Sequence, residues 1–207
     1  MLVVTADGHL TTDTTGPVEL KRLLSLFESE MGRAGWDGRG QAPGQSRTKI
    51  VDAFGRVGLI PPEELIVYFE WHDSVMGQED GSWFGPVYPG FSPERMDWCL
   101  EGYQNDLAAN LDLGSVEPNW LLLEEGSGYA VHCGRDPQQA PEVLYVSEAD
   151  PIEGRRNKPR MLSMCTLVEG WISLIRAGVY YWQDNGWRAN PSRASAVEPS
   201  EALELFR

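Results

Sequence analysis

Three histidines and three cysteines are the residues here best suited to nucleophilic, acid–base or metal chemistry: His9, His72, His132, Cys99, Cys133 and Cys165. Their spacing supports little of it. A zinc or iron site draws on ligands in close pairs such as CxxC, or on an HExxH helix, and neither occurs. His132 and Cys133 are adjacent, and neighbours on an extended strand point to opposite faces, so they do not make a nucleophile–base pair. His72 falls at the end of a helical segment and His9 near the start of the chain, positions that suit structural roles. No Gly-x-Ser-x-Gly elbow, P-loop or GxGxxG is present. Carboxylates are so numerous, 31 in all, that some pair will always lie close, and proximity alone does not mark acid–base work. No catalytic residue, metal or cofactor is assigned. The cysteines, odd in number and far apart, suit small buried apolar positions in a reducing, cytoplasmic setting better than a disulfide framework.

The elements that would position these residues are legible in order. Leu20, Leu23, Leu24, Phe27 and Met31 recur at helical spacing and predict a helix over Val18–Arg33, ended by Gly32 and Gly35. Gly35–Gln45 is rich in glycine and predicts a mobile loop. Ser46 or Thr48 then caps a second helix with Ile50, Val51, Phe54 and Val57 on one face. Gly58 stops it. Pro61-Pro62-Glu63-Glu64 opens the next: proline suits a first turn whose amides lack partners, and both acids suit the positive end of the helix dipole. Leu65, Ile66 and Phe69 form its apolar face.

Gly77–Gly81 predicts an acidic turn and Trp83–Tyr88 a short edge strand bent by Gly85-Pro86. Ser92-Pro93-Glu94 opens a helix with Met96, Leu100, Tyr103 and Leu107 as its buried stripe. Trp120–Leu123, Tyr129–Cys133 and Val143–Val146 predict adjacent antiparallel strands, the first two joined through Glu124–Gly128. Asp150–Arg160 is a polar crossover whose basic cluster (Arg155, Arg156, Lys158, Arg160) suits a solvated loop. Thr166 and Glu169 fit a capping box for a helix facing the core with Val168, Trp171, Ile172 and Ile175 and stopped by Gly178. Val179–Trp187 predicts a small aromatic hairpin turning at Asp184-Asn185-Gly186.

At 207 residues and 42% hydrophobic content the chain is long enough for one domain with a proper core. The expected organisation is an N-terminal arm over 1–17, a domain over 18–188 and a loosely ordered Ser/Pro/Glu-rich tail over 189–207. The first ten residues lack the basic start of a signal peptide, and no stretch reaches the roughly 20 apolar residues of a membrane span. Charge is the most informative bulk property. The net charge is -14, and nearly all of it falls in residues 61–125, which hold fourteen acids against the single base Arg95. Such a field repels nucleic acid and draws in basic partners, although a solvated acidic face also serves solubility alone.

The order of elements, with Gly58-Leu59-Ile60-Pro61-Pro62-Glu63-Glu64 and Tyr68-Phe69, the strand Asn119–Leu123 and the Trp-bearing helix Leu167–Gly178, resembles the SUKH superfamily. This is the domain of fungal Smi/Knr-type cell-wall regulators and of many bacterial immunity proteins. The resemblance covers roughly Val18 to Trp187 and rests on short, architectural motifs. The chain departs from the pattern at His72-Asp73-Ser74, where the family commonly has Asn-Gly, and in a long loop between strands. The resemblance implies an α+β fold in which an antiparallel, curled sheet of about four to six strands packs against helices. It also implies a non-enzymatic module that binds a protein partner, in bacteria a toxin such as a nuclease or deaminase. An acidic face would then occupy the toxin's phosphate-binding surface, with no direct nucleic-acid or membrane contact. The contact residues expected for this are Glu79, Asp80, Trp83 and Phe84, with Glu124 and Glu125 on the neighbouring hairpin; Trp83 and Phe84 suit core positions equally well. A regulatory or scaffold domain without a toxin partner, and an enzyme of unrecognised type, remain open alternatives.

Overall fold

The computed structural model describes residues 1–38, 41–75, 95–108, 119–123, 128–134, 136–146, 160–184 and 186–197. Mixed α+β architecture follows directly from the periodicities above. Five helices are present among these residues: α1 (Pro17–Arg33), α2 (Arg47–Arg56), α3 (Glu63–Trp71), α4 (Met96–Ala108) and α5 (Met164–Arg176). The strands are β1 (Leu2–Val4), β2 (Leu10–Thr12), β3 (Gln41–Pro43), β4 (His72–Val75), β5 (Trp120–Leu122), β6 (Gly128–His132), β7 (Val143–Val146), β8 (Tyr180–Gln183) and β9 (Gly186–Ala189). They pair antiparallel as β1–β2, β3–β4, β5–β6–β7 and β8–β9. Met161 joins the first and third of these units, bridging Val143 antiparallel and Leu10 in parallel.

The core lies where α1 and α5 meet the inner face of β5–β6–β7. All five residues of the expected α1 stripe are buried, as are Val168, Trp171, Ile172 and Ile175 of α5. Trp171 spans the two layers: its ring lies 5.3 Å from Phe27 of α1 and 5.9 Å from Tyr129 of β6. Alternation along the strands sends Leu121, Tyr129, Val131 and Val143 into this core. Helix α2 closes on α3 through Phe54 and Phe69, 6.2 Å apart.

Two acids from the middle third turn inward and fasten the helices together. Glu64, 2% exposed, accepts from the Gly16 amide at 2.7 Å, the Ser163 hydroxyl at 2.8 and 3.0 Å and the Met164 amide at 2.8 Å. Gly16 caps α1 and Ser163 caps α5, while Glu64 itself lies in the first turn of α3. One carboxylate thus serves three helix N-termini, where orphan amides and the positive dipole ends both favour an anion. Asp73 does the same for α4: its Oδ1 accepts from the Met96 amide at 2.8 Å, and its Oδ2 accepts from Gln45. Glu63, by contrast, points outward to Arg47.

Several expectations need correction. The α5 cap is Ser163, whose hydroxyl accepts from the Cys165 amide at 2.9 Å, so Thr166 lies inside the helix, buried. The Glu64 bond is what fixes Ser163 as the first residue out of the helix, and no local motif announces it. Val51 on α2 is exposed rather than core-facing. Within Gly35–Gln45, expected as a mobile loop, β3 pairs with β4, and the Gln45 amide bonds the Phe69 carbonyl at 2.8 Å. The approach is close enough that a Cβ on Gly44 would stand 1.9 Å from the Glu70 carbonyl oxygen, so only glycine fits there. Residues 1–17, expected as an arm, carry the β1–β2 hairpin, and Leu2 and Leu10 lie in the core. In the expected tail, Pro191–Ala196 forms a 3₁₀ turn and Val197 is buried. The α5 stop is as expected: Gly178, at φ 69°, and Val179 return their amides to Ile175 and Leu174, the pairing of a Schellman cap. The β8–β9 hairpin also forms at the expected place, with Trp182 and Trp187 paired across it at 5.6 Å.

Candidate functional site

The period of two that fills the core also sets what the sheet shows on its other face. Trp120 opposes His132, and the His132 amide bonds the Glu142 carbonyl at 2.9 Å, so these three residues form one row across β5, β6 and the start of β7. Beside that row Leu122, Ala130 and Leu144 make a small apolar cluster with Trp120. The Trp120 ring lies 5.1 Å from the His132 ring, and the Arg160 guanidinium stands over it at 5.8 Å. Arg160 also donates to Glu142 and is held at its backbone by His9, whose Nδ1 accepts from the Arg160 amide at 3.3 Å.

The segment 136–141 walls this row off and leaves a cleft of about 240 Å³. Asp136 shapes it by accepting from the Gln138 amide at 2.9 Å, a local Asx turn. Pro137 ties it to the start of α3 by accepting from the Glu63 amide at 2.8 Å. The cleft is polar: Asp136, Gln139, Glu142, Arg160 and His132 converge beside one aromatic ring. Among the described residues the His132 imidazole has no hydrogen-bond partner.

Nothing in this arrangement assembles a nucleophile. Cys133, one residue beyond His132, is buried on the opposite face, and burial pushes its thiol up to about 12. Cys165 is likewise pushed up to about 12, by burial and then by the Glu64 carboxylate beside it. Both sulfurs are protonated at neutral pH and so poorly nucleophilic. His72 is engaged structurally: its Nε2 lies 2.9 Å from Glu28 Oε1 and its Nδ1 3.2 Å from the Ala42 carbonyl oxygen. The Trp71 indole donates to the same Glu28 oxygen at 2.9 Å. Among the described residues, no group of three His, Cys, Asp or Glu is placed to hold a metal ion.

A second surface lies on α4. Met96, Cys99 and Leu100 face the core, which turns Asp97, Trp98 and Glu101 outward. Trp98 is 55% exposed. Arg95 stands over its ring at 5.7 Å and makes a two-pronged bond to Asp97 at 3.0 and 3.1 Å.

The six residues expected to contact a partner, Glu79, Asp80, Trp83, Phe84, Glu124 and Glu125, lie outside the described residues, as do the Gly77–Gly81 turn and the Trp83–Tyr88 strand. Trp98 was missed although a signal for it existed. Met96, Leu100 and Tyr103 define the α4 stripe, and a residue two places from Met96 falls about 200° round the helix, on the far side. The cleft had no local signal, because its parts come from three separate stretches of chain, at Trp120, His132–Glu142 and Arg160. No family model matches the sequence, and no curated protein matches it either.

Proposed function

We propose that this chain is a non-enzymatic protein-binding module of the SUKH type, in its bacterial setting an immunity protein that holds a basic toxin domain through an acidic, aromatic face. The observation that carries the reading is the outer side of α4. A large aromatic side chain left half in water and flanked by Asp97 and Glu101 is costly to leave uncovered and is of the type that dominates interface energetics. The surrounding charge selects a cationic partner and speeds the encounter. Arg95 over Trp98 already displays the contact that a partner's arginine would make on that ring.

Two further points support it. The β1–β2 and β5–β6–β7 units, joined through Met161 and backed by α1 and α5, suit the curled sheet of that superfamily. The three cysteines are free and buried, which suits a cytoplasmic setting. Among the described residues no helix is long and apolar enough to cross a membrane.

The test is capture from the native host with the full chain as bait, at low and moderate salt, beside the variants Trp98→Ala and Asp97→Lys/Glu101→Lys. The expected result is one basic protein in stoichiometric amount, weakened by salt and lost with either variant. Recovery of no partner, or of the same proteins by all three baits, overturns the α4 reading. A scatter of envelope proteins would favour the regulatory alternative.

A further inference from the structure

Met161 pairs with Leu10 of β2 on one side and with Val143 of β7 on the other, so β1–β2 and β5–β6–β7 run as one sheet with β1 outermost at one end. The bonding of β2 fixes which way the β1 backbone faces. Leu10 donates its amide to the Arg160 carbonyl at 2.8 Å and accepts from the Leu162 amide at 2.9 Å, so both groups face away from its β1 neighbour Val4. Thr5, one residue on, donates to the His9 carbonyl at 2.8 Å. Bonded and non-bonded pairs alternate along an antiparallel ladder. Val3 therefore bonds Thr11, whereas Leu2 and Val4 point their amides and carbonyls outward from the sheet. Among the described residues nothing takes these groups up. The side chains are as unguarded as the backbone. Edges are ordinarily blunted by a charge, a proline or a bulge, but β1 reads Leu-Val-Val in an unbroken register. Leu2 goes into the core, while Val3 stands on the solvent side, 38% exposed, with Met1 beside it at 79%.

We propose that β1 is the contact between two copies of this chain, which pair antiparallel, edge to edge, about a two-fold axis through Val3. What selects a second copy is the symmetry of the edge itself. With Val3 opposite its counterpart, Leu2 of each copy falls opposite Val4 of the other, and these are the residues whose amides and carbonyls face outward. Each such pair exchanges both bonds, so every outward donor meets an outward acceptor and none is stranded. The axis stands perpendicular to the sheet. The helix layers therefore stay on one side of a continuous sheet, and the two Val3 side chains meet on the other, with each Met1 diagonal to the opposing Val3. The pairing uses up the β1 edge of both copies, so it closes at a dimer. So short a strand makes a small contact beside the roughly 1,200–2,000 Å² of a stable interface. A weak dimer is expected, with a dissociation constant of about 100 μM. The inference goes beyond the partner-binding reading and does not rest on it.

The test is sedimentation equilibrium of the full chain from about 10 μM to about 1 mM, a range that brackets this constant. A monomer–dimer equilibrium is expected. Val4→Pro removes an amide that the β1–β2 ladder does not use, and it should weaken the dimer about tenfold or more. Val3→Lys sets like charges opposite each other on the axis and should act in the same direction. An unchanged far-UV spectrum reports that the fold is kept, and should Val4→Pro fail to fold, the Val3 variants carry the test. Val3→Cys reads the register directly. A non-bonded pair brings its Cα atoms to about 4.5 Å, within disulfide reach, so mild oxidation should link the two copies. The native cysteines are buried and do not compete. Val18→Cys on α1, 85% exposed at the valine, is the control and should link far more slowly. A monomer throughout the range, a dimer that ignores both Val4→Pro and Val3→Lys, assembly beyond two copies, or linking of Val3→Cys no faster than of Val18→Cys would each overturn the proposal. So would a chain that stays monomeric but loses a captured protein on Val4→Pro, which would give the edge to a strand of that protein.

Discussion

Glu64 and Asp136 are both carboxylates beside backbone amides, yet they do opposite work. Around Glu64 both oxygens are filled, by two amides and a hydroxyl that belong to two other helices. Around Asp136 one oxygen closes a turn and the other is left to the cleft. A buried acid persists only if hydrogen bonds replace the water it loses, so saturation marks structure. Spare capacity at a concave, solvent-facing surface does no such structural work. The middle third of the chain, uniform by composition, splits along this line: Glu64 and Asp73 face inward, Asp97 and Glu101 outward.

The sharpest way to break the comparison is Glu64→Ala. It strands two amides and a hydroxyl in the interior, and the unfolding free energy should fall by about 3 kcal/mol or more. A urea midpoint close to that of the unaltered chain would show that the three helix ends do not depend on this side chain. Asp73→Ala removes one amide acceptor and the Gln45 bond, and about 2 kcal/mol of loss is expected in the same measurement.

A smaller effect is expected at Glu30. Burial works to raise its carboxyl, but bonds and charge from Arg176 and Arg33 outweigh that and hold it below its ordinary value of 4.5. A depressed folded-state value stabilises the fold above the ordinary value, and the stabilisation is lost as the pH falls through the folded one. Unfolding measured from neutral pH down to about pH 3 should therefore show an acid limb, and Glu30→Gln should make that limb shallower. An identical limb in the variant would assign the acid sensitivity elsewhere. The smallest effect belongs to the outward acids. Asp97→Asn with Glu101→Gln should shift stability by no more than about 0.5 kcal/mol, and a larger loss would mean that α4 uses them structurally.

How much of this was legible in sequence follows from how far each signal reaches. The α1 stripe, the Trp171 face, the Gly178 stop and the β5–β7 strands all stand out because periodicity and caps are written within a dozen residues. Glu63 and Glu64 looked alike as first-turn acids suited to the dipole. What distinguishes them is a serine about a hundred positions away, and no local pattern carries that. The Ser163 cap was missed for the same reason, and Thr166 with Glu169 offered a local imitation of it. Strands β1, β2 and β3 are three residues each, too short to display alternation. The opposite lesson comes from Trp98, which the α4 stripe itself placed outside.

The Glu64 junction also has a temporal side. Its carboxylate is separated from the Met164 amide by 100 positions, and at roughly 5–20 residues per second the second half of the junction leaves the ribosome about 5–20 s after the first. Throughout that interval Glu64 can meet the Gly16 amide of α1 but lacks Ser163 and Met164, the two residues that fill its Oε2. The junction is therefore completed, and α1 gains the Trp171 ring against Phe27, only once α5 has emerged. A nascent chain halted before Ser163 should remain open to protease between α1 and α3, and one extended past Gly178 should close.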